Sequence, residues 1–323
     1  MGNQKQTKRD QLDFPVEKGA FVRWESQFRS WVTVDGDAGP TGMEGFKAEA
    51  GRYHLYVSDA CPWAHRTLIY RKLKKLEDMI SVSVVNPKMT EISWDFNEYP
   101  NATGDTLYGA KTLQEIYDKA AGKYDGVVTV PILWDKKKQI IVNNESSEII
   151  RMLNSAFNHL TGDENDYYPQ NLKNEIDEIN AFVYDNINNG VYKTGFAKTQ
   201  AAYEKAFDDL FYALDEIERR LANQRYLVGD TFTEADLRLF PTLIRFDSVY
   251  VGHFKCNLKR IDDYPNLSNY LREMYQMSGI GDTVNMDHIK THYYWSHTSI
   301  NPTRIVPKGP EIDYMKGHNR GNV

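Results

Sequence analysis

An α/β domain followed by a domain built only of helices is the fold class predicted for this 323-residue chain. Three observations predict it. The run Tyr53-His54-Leu55-Tyr56-Val57 has strand composition, turns at Cys61-Pro62, and leads through a helical pattern to a second strand at 80–85. Two more strand-like runs follow, at 127–134 and 139–142. Beyond position 166 the apolar residues recur at helical spacing alone. The length fits two domains, and 41% hydrophobic with 26% charged residues describes an ordinary globular protein. The predicted division is an arm over 1–50, an α/β domain over 51–160 and an all-helical domain with an extended tail over 167–323.

The arm is polar but carries Phe14, Phe21, Trp24, Phe28, Trp31 and Phe46, too many aromatics for a free tail, so it is expected to lie irregularly against the body. After the first strand, Pro62 suits the first turn of a helix, where a missing N–H costs nothing. That helix would turn Ala64, Leu68, Leu73 and Leu76 inward and Arg71, Lys72, Lys74 and Lys75 mostly outward. Strand, helix and strand imply a parallel pair with a right-handed crossover. The stretch from Asn86 to Asp125 reads mostly as loop, with a helix at 113–121. Pro131 within an apolar run suggests a bend off the sheet with a cis bond after Val130. Asn144-Glu145-Ser146-Ser147-Glu148-Ile149-Ile150 would start the next helix, capped by Asn or Ser and running to about Leu153 or Phe157. Thr161-Gly162-Asp163-Glu164-Asn165-Asp166 is the linker. Phe207, Leu210, Phe211, Leu214, Ile217 and Leu221 form a stripe, Thr233-Glu234-Ala235-Asp236 opens a helix as a capping box, and Pro265 begins another. From Gly279 onward the pattern fades into a tail.

Charge and cysteine content exclude several roles. The 39 basic against 45 acidic side chains give a net charge of −6, which disfavours nucleic acid. Two cysteines, Cys61 and Cys256, exclude a disulfide scaffold. The first 18 residues lack the apolar core of a signal peptide, and Gln6 breaks the myristoylation pattern. No apolar run approaches the ~18 residues of a membrane helix, so the expected address is the cytoplasm.

The chemistry centres on Cys61. A thiol at the mouth of a helix gains from the N-terminal dipole and free N–H groups, which lower its pKa. Ala64 stands where a dithiol oxidoreductase carries its second Cys, so no local thiol resolves an intermediate on Cys61. Cys256 lies in the other predicted domain and reads as structural. An outside thiol must then act, and glutathione is the abundant one. Cys61 and His65 alone do not make a zinc site, and no metal is expected.

Several motifs, in order, carry a resemblance. Cys61-Pro62-Trp63-Ala64-His65-Arg66, Ser93-Trp94-Asp95-Phe96, Thr129-Val130-Pro131-Ile132-Leu133-Trp134-Asp135, Asn144-Glu145-Ser146-Ser147-Glu148, Gly190-Val191-Tyr192-Lys193-Thr194-Gly195-Phe196 and Asp247-Ser248-Val249-Tyr250-Val251-Gly252-His253 resemble the glutathionyl-hydroquinone reductases, the xi-class glutathione transferases. The likeness spans roughly residues 15 to 310. It implies a thioredoxin-like N-terminal domain with a helical C-terminal domain. It also implies roles. Cys61 is the nucleophile. Val130 offers its backbone to the cysteinyl part of glutathione, Glu145 and Ser146 take the γ-glutamyl end, and Trp94 lies against the tripeptide. Tyr192, Tyr250 and Tyr293 line the acceptor pocket, with Tyr192 and Tyr293 as candidate proton donors.

The implied reaction removes glutathione from an S-glutathionyl-hydroquinone through a Cys61–glutathione mixed disulfide. A second glutathione resolves it, with no permanently bound cofactor and with a homodimer expected. Two other readings compete: an omega-like thiol transferase or dehydroascorbate reductase, which needs neither Trp94 nor Tyr192, and a non-enzymatic assembly module, against which the intact Cys61 speaks.

Overall fold

The computed structural model describes residues 14–90 and 93–322, so the expectations placed on Gln6 and the segment around it lie outside the described residues. The arm forms two small pairings: β1 (Val16–Glu17) with β2 (Ala20–Phe21), antiparallel, and β3 (Trp31–Thr33) with β4 (Gly45–Lys47), parallel. It is therefore less irregular than its composition suggests. Backbone bonds from Ser30 to Val142 and from Asn144 to Phe28 fix it to the body.

The main sheet has the order β6-β5-β7-β8. β5 (Tyr53–Val57) is buried along its whole length and pairs parallel with β6 (Ile80–Val84), as the strand–helix–strand reading expects. On its other side it pairs antiparallel with β7 (Ile132–Asp135), which pairs antiparallel with β8 (Ile140–Asn143). Residues 127–131, expected to be strand, are not: the ladder starts only at Ile132, after a cis bond between Val130 and Pro131. Pro131 has no N–H for a ladder, and the segment before it turns to a cavity instead.

Three helices flank the sheet: α1 (Pro62–Leu73), α2 (Leu113–Ala121) and α3 (Ser146–Ser155), with the short α4 (Asn158–Thr161) after them. α2 lies where the sequence places it, opened by a capping box between Thr112 and Glu115. α1 starts at Pro62 with Cys61 as its N-cap. Its inner face differs from expectation: Leu68 and Leu73 are partly exposed, whereas Arg66 and Lys74 are buried. Lys74 bonds Asp163 at 3.2 Å, and the carbonyl of Asn165, so the linker supplies the partners that a pattern of charges along one helix cannot reveal. The N-cap of α3 is Glu145, not Asn or Ser; its carboxylate accepts from the N–H of Ser147 at 3.0 Å.

The helical part comprises α5 (Lys173–Val183), α6 (Gly190–Gly195), α7 (Gln200–Leu221), α8 (Glu234–Arg245), α9 (Pro265–Gln276) and α10 (Met286–Thr291). The stripe of α7 is buried as predicted, apart from the partly exposed Phe207. The capping box at Thr233 and Asp236 forms. Residues 279–323 are no featureless tail: α10 continues into a π-turn over His292–Ser296, and both pack inward. Further on, Arg320 is buried and donates to the carbonyls of Leu221, Gln224 and Arg225 at 2.6–2.7 Å, capping the end of α7. Among the described residues no helix is long and apolar enough to cross a membrane.

Candidate active site

A cavity of about 540 Å³ opens between the α/β part, the helical part and the arm, and Cys61 lies in its wall. Three features of the sequence bring the thiol there. β5 ends at Val57, Ser58 accepts the N–H of Cys61 at 3.0 Å in a tight turn, and Pro62 starts α1 at once. Cys61 is partly buried, and its Sγ lies 3.6 Å from the carbonyl oxygen of Val130.

The thiol's acidity departs from the sequence expectation. Burial pushes the Cys61 thiol up from its ordinary value. The N–H groups of Ala64 and Trp63, and the charges of Arg245 and Arg23, pull the other way but do not outweigh it. The helix start thus acts in the direction expected, against a larger desolvation. The thiolate that does form is a stronger nucleophile for its higher pKa. Cys256 is fully buried with its thiol pushed far up, which fits the structural reading.

Of the other predicted residues, Trp94, Val130, Glu145, Ser146, Tyr192 and Tyr293 all line this cavity with Cys61. Trp94 is buried and stacks on His292, ring centroids 4.6 Å apart. Ser146 opens α3 and lines the same space, while the N–H of Ser147 is taken by the Glu145 carboxylate and that of Glu148 by the Glu145 carbonyl. Burial pushes the Glu145 carboxyl up, but bonds from the Ser147 N–H and hydroxyl and the Ser26 hydroxyl, with the nearby Arg66 charge, hold it below its ordinary value. It is an anion at neutral pH.

Tyr250 is the exception. It is fully buried and is not among the residues that line the cavity, where Tyr192 and Tyr293 are. Its hydroxyl lies 3.1 Å from that of Tyr293, which in turn lies 2.6 Å from that of Tyr192. Three phenols therefore form a chain, Tyr250 behind and the other two at the wall. Burial raises the pKa of all three, so they hold their protons at neutral pH and are available as proton donors.

The sequence missed several wall residues. Arg23 of the arm lies over Trp63 and Tyr192, 4.5 and 4.7 Å from their ring centroids, and donates to Asn189 at 2.5 Å. Ser26 bonds Glu145 at 3.0 Å. His292 and His297 come from the π-turn and the residue after it. The aromatic excess of the arm was the one available signal for its part. Both ring nitrogens of His65 have side-chain partners: Nδ1 faces Arg245 and Nε2 faces Thr283. No cluster of three potential ligands occurs among the described residues.

Buried neutral histidines make the fold acid-sensitive. Burial lowers His54 and His292 to about 4 and His253 to about 3, and holds His65 and His297 well below their ordinary value. Unfolded histidines take up protons below about pH 6.5, so stability present above that pH is lost as it falls. Burial raises Asp236 and Asp247 to about 6, and raises Asp59 and Asp95 as well, which opposes the trend without cancelling it. Urea unfolding should show a loss on the order of 2 kcal/mol per pH unit between about pH 6.5 and 5. A flat or rising profile would contradict these assignments.

Comparison with known proteins follows the same lines. Residues 60–156 match the family model for the glutathione S-transferase N-terminal domain, and residues 200–273 that for the C-terminal domain. The chain is 57% identical over 303 residues to the glutathionyl-hydroquinone reductase YqjG of Escherichia coli, spanning 94% of this chain and 92% of that protein. It is 54% identical over 292 residues to the glutathionyl-hydroquinone reductase PcpF of Sphingobium chlorophenolicum, 90% of each. The glutathione-bound structure of YqjG superposes with a TM-score of 0.90, covering 91% of this chain and 96% of that one. The xi glutathione transferase of Phanerochaete chrysosporium, 52% identical, gives 0.89 over 96% of this chain and 100% of that one.

Proposed function

The chain belongs to the glutathione S-transferases, within them to the xi-class glutathionyl-hydroquinone reductases, and from that membership we propose how its cavity works. The enzyme removes glutathione from S-glutathionyl-hydroquinones. The observation that carries the assignment to these residues is the meeting of one thiol, the Glu145 anion with Ser146 at the start of α3, and two protonated phenols in one cavity.

Glutathione is held along the α/β wall. Val130 offers backbone N–H and C=O to its cysteinyl part, as an added strand does. Ser146, with its hydroxyl and N–H at the start of α3, takes the γ-glutamyl carboxylate, the Glu145 anion takes the ammonium, and Trp94 covers the tripeptide. The Cys61 thiolate attacks the glutathionyl sulfur, forming an S–S bond. The aryl C–S bond breaks with its electron pair on carbon, and Tyr192 or Tyr293 supplies the proton that makes the hydroquinone. A second glutathione thiolate attacks the glutathionyl sulfur of the mixed disulfide, releasing glutathione disulfide and restoring Cys61. Thiol exchange carries both electrons, so the reaction calls for no metal or redox cofactor. This reading also takes the enzyme as a cytoplasmic homodimer, with its domain boundary in the linker at 161–166. The two family matches fall on either side of that linker, which supports the boundary.

Purified protein should turn over a glutathionyl-hydroquinone with release of glutathione disulfide. Activity confined to dehydroascorbate or small mixed disulfides would replace this reading with a thiol transferase. Tyr192→Phe and Tyr293→Phe should each lower kcat about tenfold, and together about a hundredfold, because the loss is of general-acid catalysis. Formation of the mixed disulfide from glutathione disulfide needs no such proton at carbon and should stay near the wild-type rate.

A further inference from the structure

Arg245, the last residue of α8, is completely buried, and none of its hydrogen bonds goes to a carboxylate. Its Nε donates to the carbonyl of Ala60 at 2.9 Å and one terminal nitrogen to the carbonyl of Asp59 at 2.8 Å. The other terminal nitrogen donates to the carbonyl of Pro241 at 2.8 Å and to Nδ1 of His65 at 3.0 Å. Three of these four acceptors lie in the segment 59–65 that carries Cys61. A guanidinium is costly to take out of water, and an apolar side chain would fill the space at less cost. Its placement therefore calls for a reason beyond packing.

The bonds suggest one. Because Nδ1 of His65 accepts from Arg245, its Nε2 carries the proton and donates to Thr283 at 2.7 Å, whose hydroxyl donates to the carbonyl of Ile280 at 2.6 Å. Arg245 thus ties the helical part to both ends of the first turn of α1. The Ala60 carbonyl that it grips shares a peptide plane with the Cys61 N–H, itself bonded to Ser58. We propose that Arg245 is a positioning residue for the Cys61 thiolate, fixing the peptide planes of 59–61 and keeping a permanent positive charge behind the sulfur. This rests on Cys61 being the nucleophile of the reading above.

The charges around the thiol agree. Arg245 pulls down the Cys61 thiol and the phenols of Tyr192, Tyr250 and Tyr293 against their burial. The other titratable groups around Cys61 and Arg245 include Arg23, Glu25 and Arg29 from the arm, Glu145 at the start of α3, His65 from α1, His292 and His297 from the C-terminal turn, and Asp59 from the turn itself. The histidines are neutral and the Asp59 carboxyl turns to Asn285 at 3.0 Å, so the positive charges acting on the thiol are Arg245, bonded to the carbonyl beside it, and Arg23. Lys could keep the charge, but its single ammonium cannot reproduce the planar fork that reaches three carbonyls.

The test is alkylation of Cys61 by iodoacetamide as a function of pH, read by peptide mapping so that Cys256 does not contribute. In Arg245→Gln the midpoint should rise by about one pH unit, with about tenfold slower alkylation at neutral pH. In Arg245→Lys the midpoint should stay within about 0.5 unit, while kcat for a glutathionyl-hydroquinone falls about tenfold at unchanged KM. A folded Arg245→Gln with the wild-type midpoint overturns the electrostatic role, and Arg245→Lys with wild-type kcat overturns the positioning role. If Arg245→Gln does not fold, the Lys variant decides alone. Alkylation needs neither glutathione nor hydroquinone, so failure of the substrate assignment would leave that result standing.

Discussion

Cys61→Ser should abolish turnover of a glutathionyl-hydroquinone, by at least about a thousandfold, and leave the fold in place. Oxygen in place of sulfur keeps the turn at Ser58 and the start of α1, because those depend on the Cys61 N–H and on Pro62. It removes the nucleophile, since a serine hydroxyl at the same helix mouth is far too weak an acid to ionise. The circular dichroism spectrum and thermal midpoint should match the wild type. Wild type incubated with glutathione disulfide should gain the mass of one glutathionyl group, and Cys61→Ser none. With Ala64 in the place of a resolving Cys and Cys256 buried, no second thiol can stand in. Retained turnover in Cys61→Ser would remove Cys61 from the mechanism altogether.

Asp236→Ala should cost the fold about 3–5 kcal/mol, more than any other single truncation argued above. Asp236 is fully buried at the start of α8 and takes four bonds: from the N–H of Leu227 and of Thr233, each at 2.9 Å, from the Thr233 hydroxyl at 3.3 Å, and from the Tyr270 hydroxyl at 2.8 Å. Burial raises its carboxyl to about 6, while those four bonds oppose the shift, so it is mostly ionised at neutral pH. Alanine leaves two backbone donors and a phenol buried without partners and strips α8 of its capping box. Because α8 carries Arg245 and packs on α1, the damage should reach the site. The expected outcome is a thermal midpoint lower by on the order of 10 °C, or recovery only as insoluble protein. Asp236→Asn keeps the shape but turns one acceptor into a donor, and should fall between the two. A melting curve unchanged in Asp236→Ala would show that the box is dispensable.

What could be read in advance follows physical lines. β5, α2, α7 and α8 have strong local signals: an aromatic and β-branched run, a capping box, an apolar stripe. Cys61 was legible because Pro62 and Ala64 are local too. Lys74 and Arg245 were not, since a charged residue reads as solvent-facing unless its partners are known, and those stand 89 and about 185 positions away. α10 and the π-turn after it gave no amphipathic pattern because His288, Ile289, Thr291, His292 and Tyr293 are all buried, leaving little exposed face to alternate with. Tyr250 was grouped with Tyr192 and Tyr293 by family likeness, and the three hydroxyls do form one hydrogen-bonded chain. The arm's Arg23 and Ser26 sit in segments with no period at all.

The cavity draws its walls from nearly both ends of the chain, with Arg23 and Ser26 at one extreme and Tyr293 and His297 at the other. During synthesis the first of these leaves the ribosome long before the last is made. Cys61 and the sheet can reach native order meanwhile, but the acceptor wall cannot exist until the C-terminal turn arrives. Contacts of such long sequence separation form slowly. Renatured protein should therefore regain its helical signal before it regains turnover, and newly made chains should pass through a stage that is folded around the thiol yet unable to choose its aromatic substrate.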